Sequence, residues 1–324
     1  MKPIVSVLRR LAVVSLACAA SLGAAHAEER YPSRPIKMIV AYPPGQSTDI
    51  MTRYLSTKLG EALGEAVVVE NRAGAFGNIG TAYAARATPD GYTLLMGASG
   101  THALNPAMYD NIGYDPEKDF DPIIRTVLIP MAISVNPAVK AGNLSELIAL
   151  MRAQPDKIDV ALPSVTAQLV FEILKQSNVP MYGVKYKGSG EAMAAVMGNQ
   201  VPVLIDTVAA SRGQFGKIRP LAVTSENRMN MFPDLPSVAQ QGVQGFNVVA
   251  WNVLMAPRGI PVAVRDRLTK EMRKILALPD TIKMMNELGF EPAPAMTHEQ
   301  LVAWLHRERV VSADVVHSAH MKAD

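Results

Sequence analysis

The chain has 324 residues, too many for one compact core, and its 49% apolar and 19% charged residues are the balance of a globular protein of two domains rather than a disordered or fibrous one. With 32 Lys and Arg against 29 Asp and Glu, 6% aromatics and no basic cluster, composition argues against nucleic acid or an anionic membrane as partner. A single cysteine excludes a disulfide framework.

The first segment reads as an export signal. Lys2, Arg9 and Arg10 precede an apolar run from Leu11 to Ala25, and Ala25-His26-Ala27 has the small-x-small pattern of a cleavage site. Residues 1–27 are therefore expected to be removed, leaving a mature start at Glu28. The run is too short to span a bilayer permanently. Cys18 lies inside it, and Ser15-Leu16-Ala17 lacks the apolar residue three places upstream that lipidation would use, so the mature chain has no thiol. The 32 basic residues less Lys2, Arg9 and Arg10 leave 29 against 29 acidic ones, a formally neutral mature protein.

A βα rhythm follows. Ile36 to Ala41 is an apolar run suited to a buried parallel strand, and Tyr42-Pro43-Pro44-Gly45-Gln46 turns into Ser47, Thr48 and Asp49, good caps for a helix striped by Ile50, Tyr54, Leu55, Leu59 and Leu63. A loop that ends on a helix N-terminus offers unpaired N–H groups and a positive dipole end to an anion. The construction recurs. Val67 to Glu70 leads through Asn71–Gly80 into a helix over Thr81 to Ala87, and Tyr92 to Met96 ends in the polar loop Gly97-Ala98-Ser99-Gly100-Thr101-His102. Glycines at 74, 77 and 80 miss the dinucleotide spacing.

Ile123 to Ile129 and Met131 to Val135 are two extended runs divided by Pro130, read as the first crossing between domains. The second unit holds a helix from Leu144 to Gln154 capped by Asn143, a strand Asp159 to Ala161, and the loop Leu162-Pro163-Ser164-Val165-Thr166. It continues through a strand Tyr182 to Tyr186, the loop Lys187-Gly188-Ser189-Gly190, a helix Glu191 to Met197, and strands Val201 to Ile205, ending at Asp206, and Arg219 to Thr224. Val248 to Met255 is the return crossing. Helices from Val262 to Leu278, from about Thr281 to Leu288, and behind the Thr297–Gln300 capping box to about Ala319 complete the chain. The expected divisions are 28–127 with 248–324 as one domain and 128–247 as the other, their strand-end loops facing one cleft.

Taken together, Tyr31-Pro32-Ser33-Arg34-Pro35-Ile36, Tyr42-Pro43-Pro44-Gly45 with Ser47-Thr48-Asp49, Val69-Glu70-Asn71-Arg72, Gly77-Asn78-Ile79-Gly80, Pro89-Asp90-Gly91-Tyr92-Thr93-Leu94, Tyr114-Asp115-Pro116 with Lys118-Asp119-Phe120, Tyr186-Lys187-Gly188 and Leu221-Ala222-Val223-Thr224 resemble the Bordetella uptake gene (Bug) group. These are extracytoplasmic solute receptors of tripartite tricarboxylate transporters. The resemblance covers essentially the whole mature chain, in order. It implies an α/β, two-domain periplasmic-binding-protein fold of Venus-flytrap, type II-like form with two crossovers. It also implies a monomer in the periplasm that binds a small organic anion, without cofactor or metal, and delivers it to membrane permease subunits.

Carried over by motif, the ligand-binding positions are Tyr42, Ser47 and Thr48 on the first loop, Asn78 on the second, Ala98, Thr101 and His102 on the third, Gly188 and Ser189, and the strand-end Asp206. Two departures stand out. Gln46 replaces a second glycine of the family, and Pro163 and Val165 stiffen a loop that is glycine- and serine-rich in the family, leaving Ser164 and Thr166 as its hydroxyls.

The alternative is a small exported enzyme acting on an organic acid. Gly97-Ala98-Ser99-Gly100 and Gly188-Ser189-Gly190 both miss the nucleophile elbow, and no Cys–His pair or His-Glu-x-x-His run exists. His298, His306, His317 and His320 crowd the last helical region, where the His317/His320 spacing reads as a solvated face rather than a metal site. His102 reads as a hydrogen-bonding residue rather than an acid–base partner of Asp49, itself a helix cap. Trp251 is placed either to stack on a ligand or to pack at the hinge. None of the binding loops contains an Arg, so no bidentate carboxylate clamp is evident, and a monocarboxylate or an amino- or aromatic-substituted acid is favoured over citrate.

Overall fold

Three parallel strands build one side of the sheet in the computed structural model, which describes residues 31–155 and 157–321. The export signal and Cys18 lie outside the described residues. β1 (Ile36–Val40), β2 (Val67–Asn71) and β3 (Thr93–Ala98) run in the order β2-β1-β3, with Val40 opposite both Asn71 and Met96, so their carboxyl ends share one edge. Ile36, Met38, Ile39 and Val40 are buried, as in a largely covered strand, and Lys37 between them reaches out to pair with Glu70 at 2.9 Å.

Helix α1 (Ser47–Leu63) buries Met51, Leu55, Leu59 and Leu63, one residue per turn, and stops at Gly64, whose left-handed backbone lets its N–H reach the Gly60 carbonyl at 2.9 Å. α2 (Asn78–Ala85) begins three residues earlier than its sequence pattern suggests, so Asn78 is a helical residue. The third loop differs more. Gly100–Leu104 forms a π-helical turn that runs into α3 (Asn105–Met108), and Thr101, His102, Ala103 and Leu104 are all buried.

β4 (Phe120–Val135) is one strand of 16 residues, not two runs split at Pro130. From Phe120 to Pro130 it pairs antiparallel with β9 (Val249–Pro257); from Met131 to Val135 it pairs with β7 (Val203–Thr207) and β8 (Arg219–Val223). Pro130 sits at this change of partner, where a strand tolerates a residue without an N–H. Beyond the change lie α4 (Leu144–Ala153), capped by Asn143, then β5 (Asp159–Leu162), α5 (Val165–Gln176), β6 (Tyr182–Lys185) and α6 (Ser189–Met197). β7, β5 and β6 are mutually parallel and place a second set of carboxyl ends together, around a core that includes Ile133, Val160, Phe171, Val203 and Ile205.

Thr224 stitches the return. Fully buried, it exchanges bonds with Met131, N–H to carbonyl at 2.9 Å and Met131 N–H to Oγ1 at 3.0 Å, and its Oγ1 donates to the Val248 carbonyl at 2.6 Å. α7 (Val208–Ser211) follows β7 directly. α8 (Val262–Ala277), α9 (Pro279–Glu287), β10 (Glu291–Pro292, on β4) and α10 (His298–Ser318) finish the chain, the last opened by the Thr297–Gln300 capping box.

Candidate functional site

A cavity of about 40 Å³ lies between the two sets of strand ends. Tyr42, Gln46, Ser47 and Thr48 wall it from the β1–α1 turn, and Ala98, Ser99 and Gly100 from the end of β3. Facing them are Ser164, Val165 and Thr166 before and within α5, Ser189 at the start of α6, and Asp206 and Thr207 at the end of β7. Ile129 of β4 with Ala250 and Trp251 of β9 close the remaining side. At roughly 10–15 Å³ per water, the space as it stands admits about three waters or one carboxylate group.

The walls touch. Gln46 Nε2 donates to the Pro163 carbonyl at 3.4 Å, and the Ser99 and Thr166 hydroxyls are 3.4 Å apart. Gly100 permits this approach: a Cβ there would stand 2.8 Å from Val165 Cγ2 and 2.9 Å from the Tyr42 hydroxyl.

Donors converge on the space from helix starts. α1 begins after Gln46 and α6 after Gly188, and neither has a side chain capping its first turn, so their leading N–H groups are left for another acceptor. α5 differs, because Ser164 Oγ accepts from the Ala167 N–H at 3.1 Å. Asp49 is not at the cap position either. Its carboxylate fastens the turn, accepting from Gly45 N–H at 2.9 Å, Asn71 Nδ2 at 2.8 Å and Arg53; burial would raise its pKa, but these donors hold it below the usual value. Thr48 Oγ1 accepts from Asn252 Nδ2 at 3.1 Å, which leaves its own proton to donate. Asn252, also bonded to the Gly97 carbonyl, was detectable only as a polar residue inside an apolar strand.

Among the lining residues there is no Lys, Arg or His, and Asp206 is the one acidic side chain. It is 2% exposed. Oδ1 accepts from Ser189 Oγ at 3.1 Å and from the Thr207 N–H at 2.7 Å, whereas Oδ2 is buried without a partner among the described residues. Burial pushes the carboxyl up to about 7, against the pull of the Ser189 hydroxyl and of the Thr207 N–H and hydroxyl. Tyr42 is partly exposed along its ring, but its hydroxyl is buried, which raises its pKa and keeps the phenol neutral.

Four positions carried over from the motifs stand outside the lining. Asn78 Oδ1 accepts from Asn105 Nδ2 at 2.7 Å and from the Tyr114 hydroxyl at 3.1 Å, behind the wall. Thr101 lies 2.9 Å from His102 Nδ1, and its carbonyl accepts from Tyr114 at 2.6 Å. His102 is 0% exposed, edge-on to Phe120 at 5.0 Å, and burial pulls its pKa down to about 3, with Arg309 adding to the effect. The polar look of Gly97–His102 concealed a helical turn whose buried Leu104 and Met108, four residues apart, were the available signal. Gly188 sits at the rim, where a Cβ would meet Gln46 Nε2 at 3.3 Å. Trp251 packs rather than stacks on the space: its indole donates to Glu308 at 3.0 Å and its ring meets Trp304 at 4.9 Å. Ser99, Gly100, Ile129, Val165, Thr207 and Ala250 join the lining although their sequence pattern did not mark them.

A family model described as "Tripartite tricarboxylate transporter family receptor" matches residues 51–316. The chain belongs to this family. A UPF0065 protein of Bordetella bronchiseptica is 34% identical over 97% of the chain and 94% of its own length, and Protein BugT of Bordetella pertussis is 34% identical over 89% and 90%. Among solved structures, Rpa4515 of R. palustris with adipate superposes with a TM-score of 0.87 at 30% identity, covering 90% of this chain and 99% of that one. The periplasmic binding protein BugD gives 0.83 at 33% (91% and 100%), and MatC of Rhodopseudomonas palustris with bound malate 0.80 at 28% (88% and 100%). This tripartite tricarboxylate receptor thus has the α/β periplasmic-binding-protein fold that its motifs imply, with Gln46 and Pro163 forming a direct contact between its two walls.

Proposed function

We propose that this receptor captures a small organic anion by its carboxylate in the cavity between the two sets of strand ends and passes it to the membrane permease of a tripartite tricarboxylate transporter. The observation that carries this is the pairing of a carboxylate-sized space with two uncapped helix starts, α1 and α6, and the free hydroxyl proton of Thr48. Each charge-assisted bond from such donors is worth about 1.5–3 kcal/mol, so several replace an arginine. The adipate and malate seated in two related structures are acids of this class. Tyr42, Gln46, Ser47, Thr48, Ala98, Ser164, Thr166, Ser189 and Asp206 would meet the ligand, while Asn78, Thr101, His102 and Gly188 hold the walls that carry them.

A longer acid needs the walls to separate. Residues 28–127 with 248–324 would move against 128–247, bending where β4 changes partner and where Thr224 ties Met131 to Val248. The receptor would work as a monomer in the periplasm after removal of residues 1–27. We expect it to bind without turnover, since no Lys, Arg or His lines the cavity to act with Ser189 and Asp206. A thermal-shift screen of organic acids tests the reading: at least one mono- or dicarboxylate should raise Tm by several degrees, be recovered unchanged by mass spectrometry, and reduce the radius of gyration in solution scattering. A panel that leaves Tm unmoved, or product formed in proportion to protein, would replace this function.

A further inference from the structure

We propose that the ligand brings a hydrogen-bond donor, a hydroxyl or an ammonium close to its carboxylate, to Asp206 Oδ2, which makes Asp206 the residue that selects among organic acids. The inference rests on the carboxylate-site reading above and narrows it. Asp206 is enclosed at the cavity wall with Oδ1 doubly satisfied by Ser189 and Thr207 and Oδ2 left without a partner. No basic side chain lines the space to neutralise it. A buried carboxylate oxygen in such surroundings is costly until a donor reaches it, and a second acceptor brought beside it adds repulsion. Ser189 and the Thr207 N–H are already committed to Oδ1, and the Thr207 hydroxyl, although it too pulls on this carboxyl, makes no hydrogen bond to Oδ2.

Ser189, the first residue of α6, bonds Asp206 Oδ1 at 3.1 Å, so an anion held by the uncapped first turn of α6 places its next one or two carbons against Asp206. A hydroxyl or ammonium on those carbons points at Oδ2; a bare methylene leaves the oxygen unpaired and a carboxylate opposes it. Hydroxy and amino acids are therefore preferred over unsubstituted acids of the same skeleton.

The test is calorimetric titration of the whole mature chain with matched acids at pH 8: succinate, malate and aspartate; adipate and 2-aminoadipate; 3-phenylpropionate, phenyllactate and phenylalanine. In whichever skeleton binds, the donor-bearing member should be at least tenfold tighter. Asp206→Asn keeps an acceptor for the Thr207 N–H and turns an NH₂ toward the cavity, so the preference should shrink below threefold or invert. The ranking in the unaltered protein needs no variant and stands even if Asp206→Asn fails to fold. Donor-free acids that bind as tightly as their partners, or a preference that survives in folded Asp206→Asn, overturn the proposal while leaving a carboxylate receptor. If no acid of the panel binds, the carboxylate reading and this inference fall together.

Discussion

His102 and Asp206 are buried titratable groups on opposite sides of the same cavity, and each leaves one polar atom unpaired, Nε2 in the first and Oδ2 in the second. The histidine lies behind its wall among Phe120, Tyr114 and Thr101, where a neutral ring tolerates the missing bond. The aspartate lies in its wall, lining the space itself. An incomplete buried group thus means different things by position: behind the wall it is part of the packing, and in the wall it is an invitation to a ligand.

The largest expected effect separates the two by pH. Asp206 has a folded pKa of about 7, above the usual 3.9 or so of an aspartate, so the folded state holds its proton more tightly and stability falls as pH rises from about 4 to 7, then levels. Asp206→Asn removes that slope. At about 1.36 kcal/mol per unit, it should match the parent at pH 4 and exceed it by up to about 4 kcal/mol at pH 8. Urea denaturation at the two pH values checks this; a variant less stable at pH 8 would show that the carboxylate is compensated after all.

His102 slopes the other way. Its folded pKa of about 3 lies below the ordinary 6.5 or so, so the stability of the neutral ring is complete above pH 6.5 and lost as pH falls toward 3. His102→Gln should flatten this acid limb between pH 6 and 4 by about 2–3 kcal/mol, roughly half the full titration. Ligand affinity at pH 8 should change less than threefold, and a tenfold loss would place His102 in the binding machinery.

The network behind the first wall gives the next effect. Asn78→Ala leaves one buried Asn105 amide proton without an acceptor, the other still donating to the Phe76 carbonyl, while the Tyr114 hydroxyl keeps its bond to the Thr101 carbonyl, a cost of about 1–3 kcal/mol. A lower urea midpoint with little change in affinity is expected. Lost affinity with unchanged stability would instead make Asn78 a ligand contact.

Much of the scaffold that carries these residues is legible in the chain itself. Buried parallel strands announce themselves as apolar runs, as Ile36–Val40 does, and the turns behind them carry Gly, Ser and Thr where helices begin. Three things are not local. β4 continues through Pro130 because its pairing partner changes there, a fact held by β7, β8 and β9 rather than by the proline. His102 turns inward because Gly100–Leu104 winds as a π turn against Phe120 and Tyr114, while its sequence neighbours read as a polar loop. Asp206 could be placed at a strand end from sequence, but which of its oxygens is free depends on Ser189, seventeen positions away.

The smallest effect concerns the one bond that joins the walls through a family-atypical residue. Gln46 Nε2 reaches the Pro163 carbonyl at 3.4 Å, near the limit of a hydrogen bond, and it also stands over Gly188. A bond this long contributes about 0.5 kcal/mol or less, which is a factor of about two in the balance between separated and apposed walls. Gln46→Gly should therefore leave the urea midpoint nearly unchanged, since the cap position of α1 has no side-chain bond to lose. It should lower affinity for whichever acid binds by two- to threefold through a less populated closed form, and raise the ligand-free radius of gyration slightly in solution scattering. A loss of tenfold or more would mean that the Gln46 amide contacts the ligand itself. The first wall would then resemble the second, reading the acid through a side chain and not only through the N–H groups of α1.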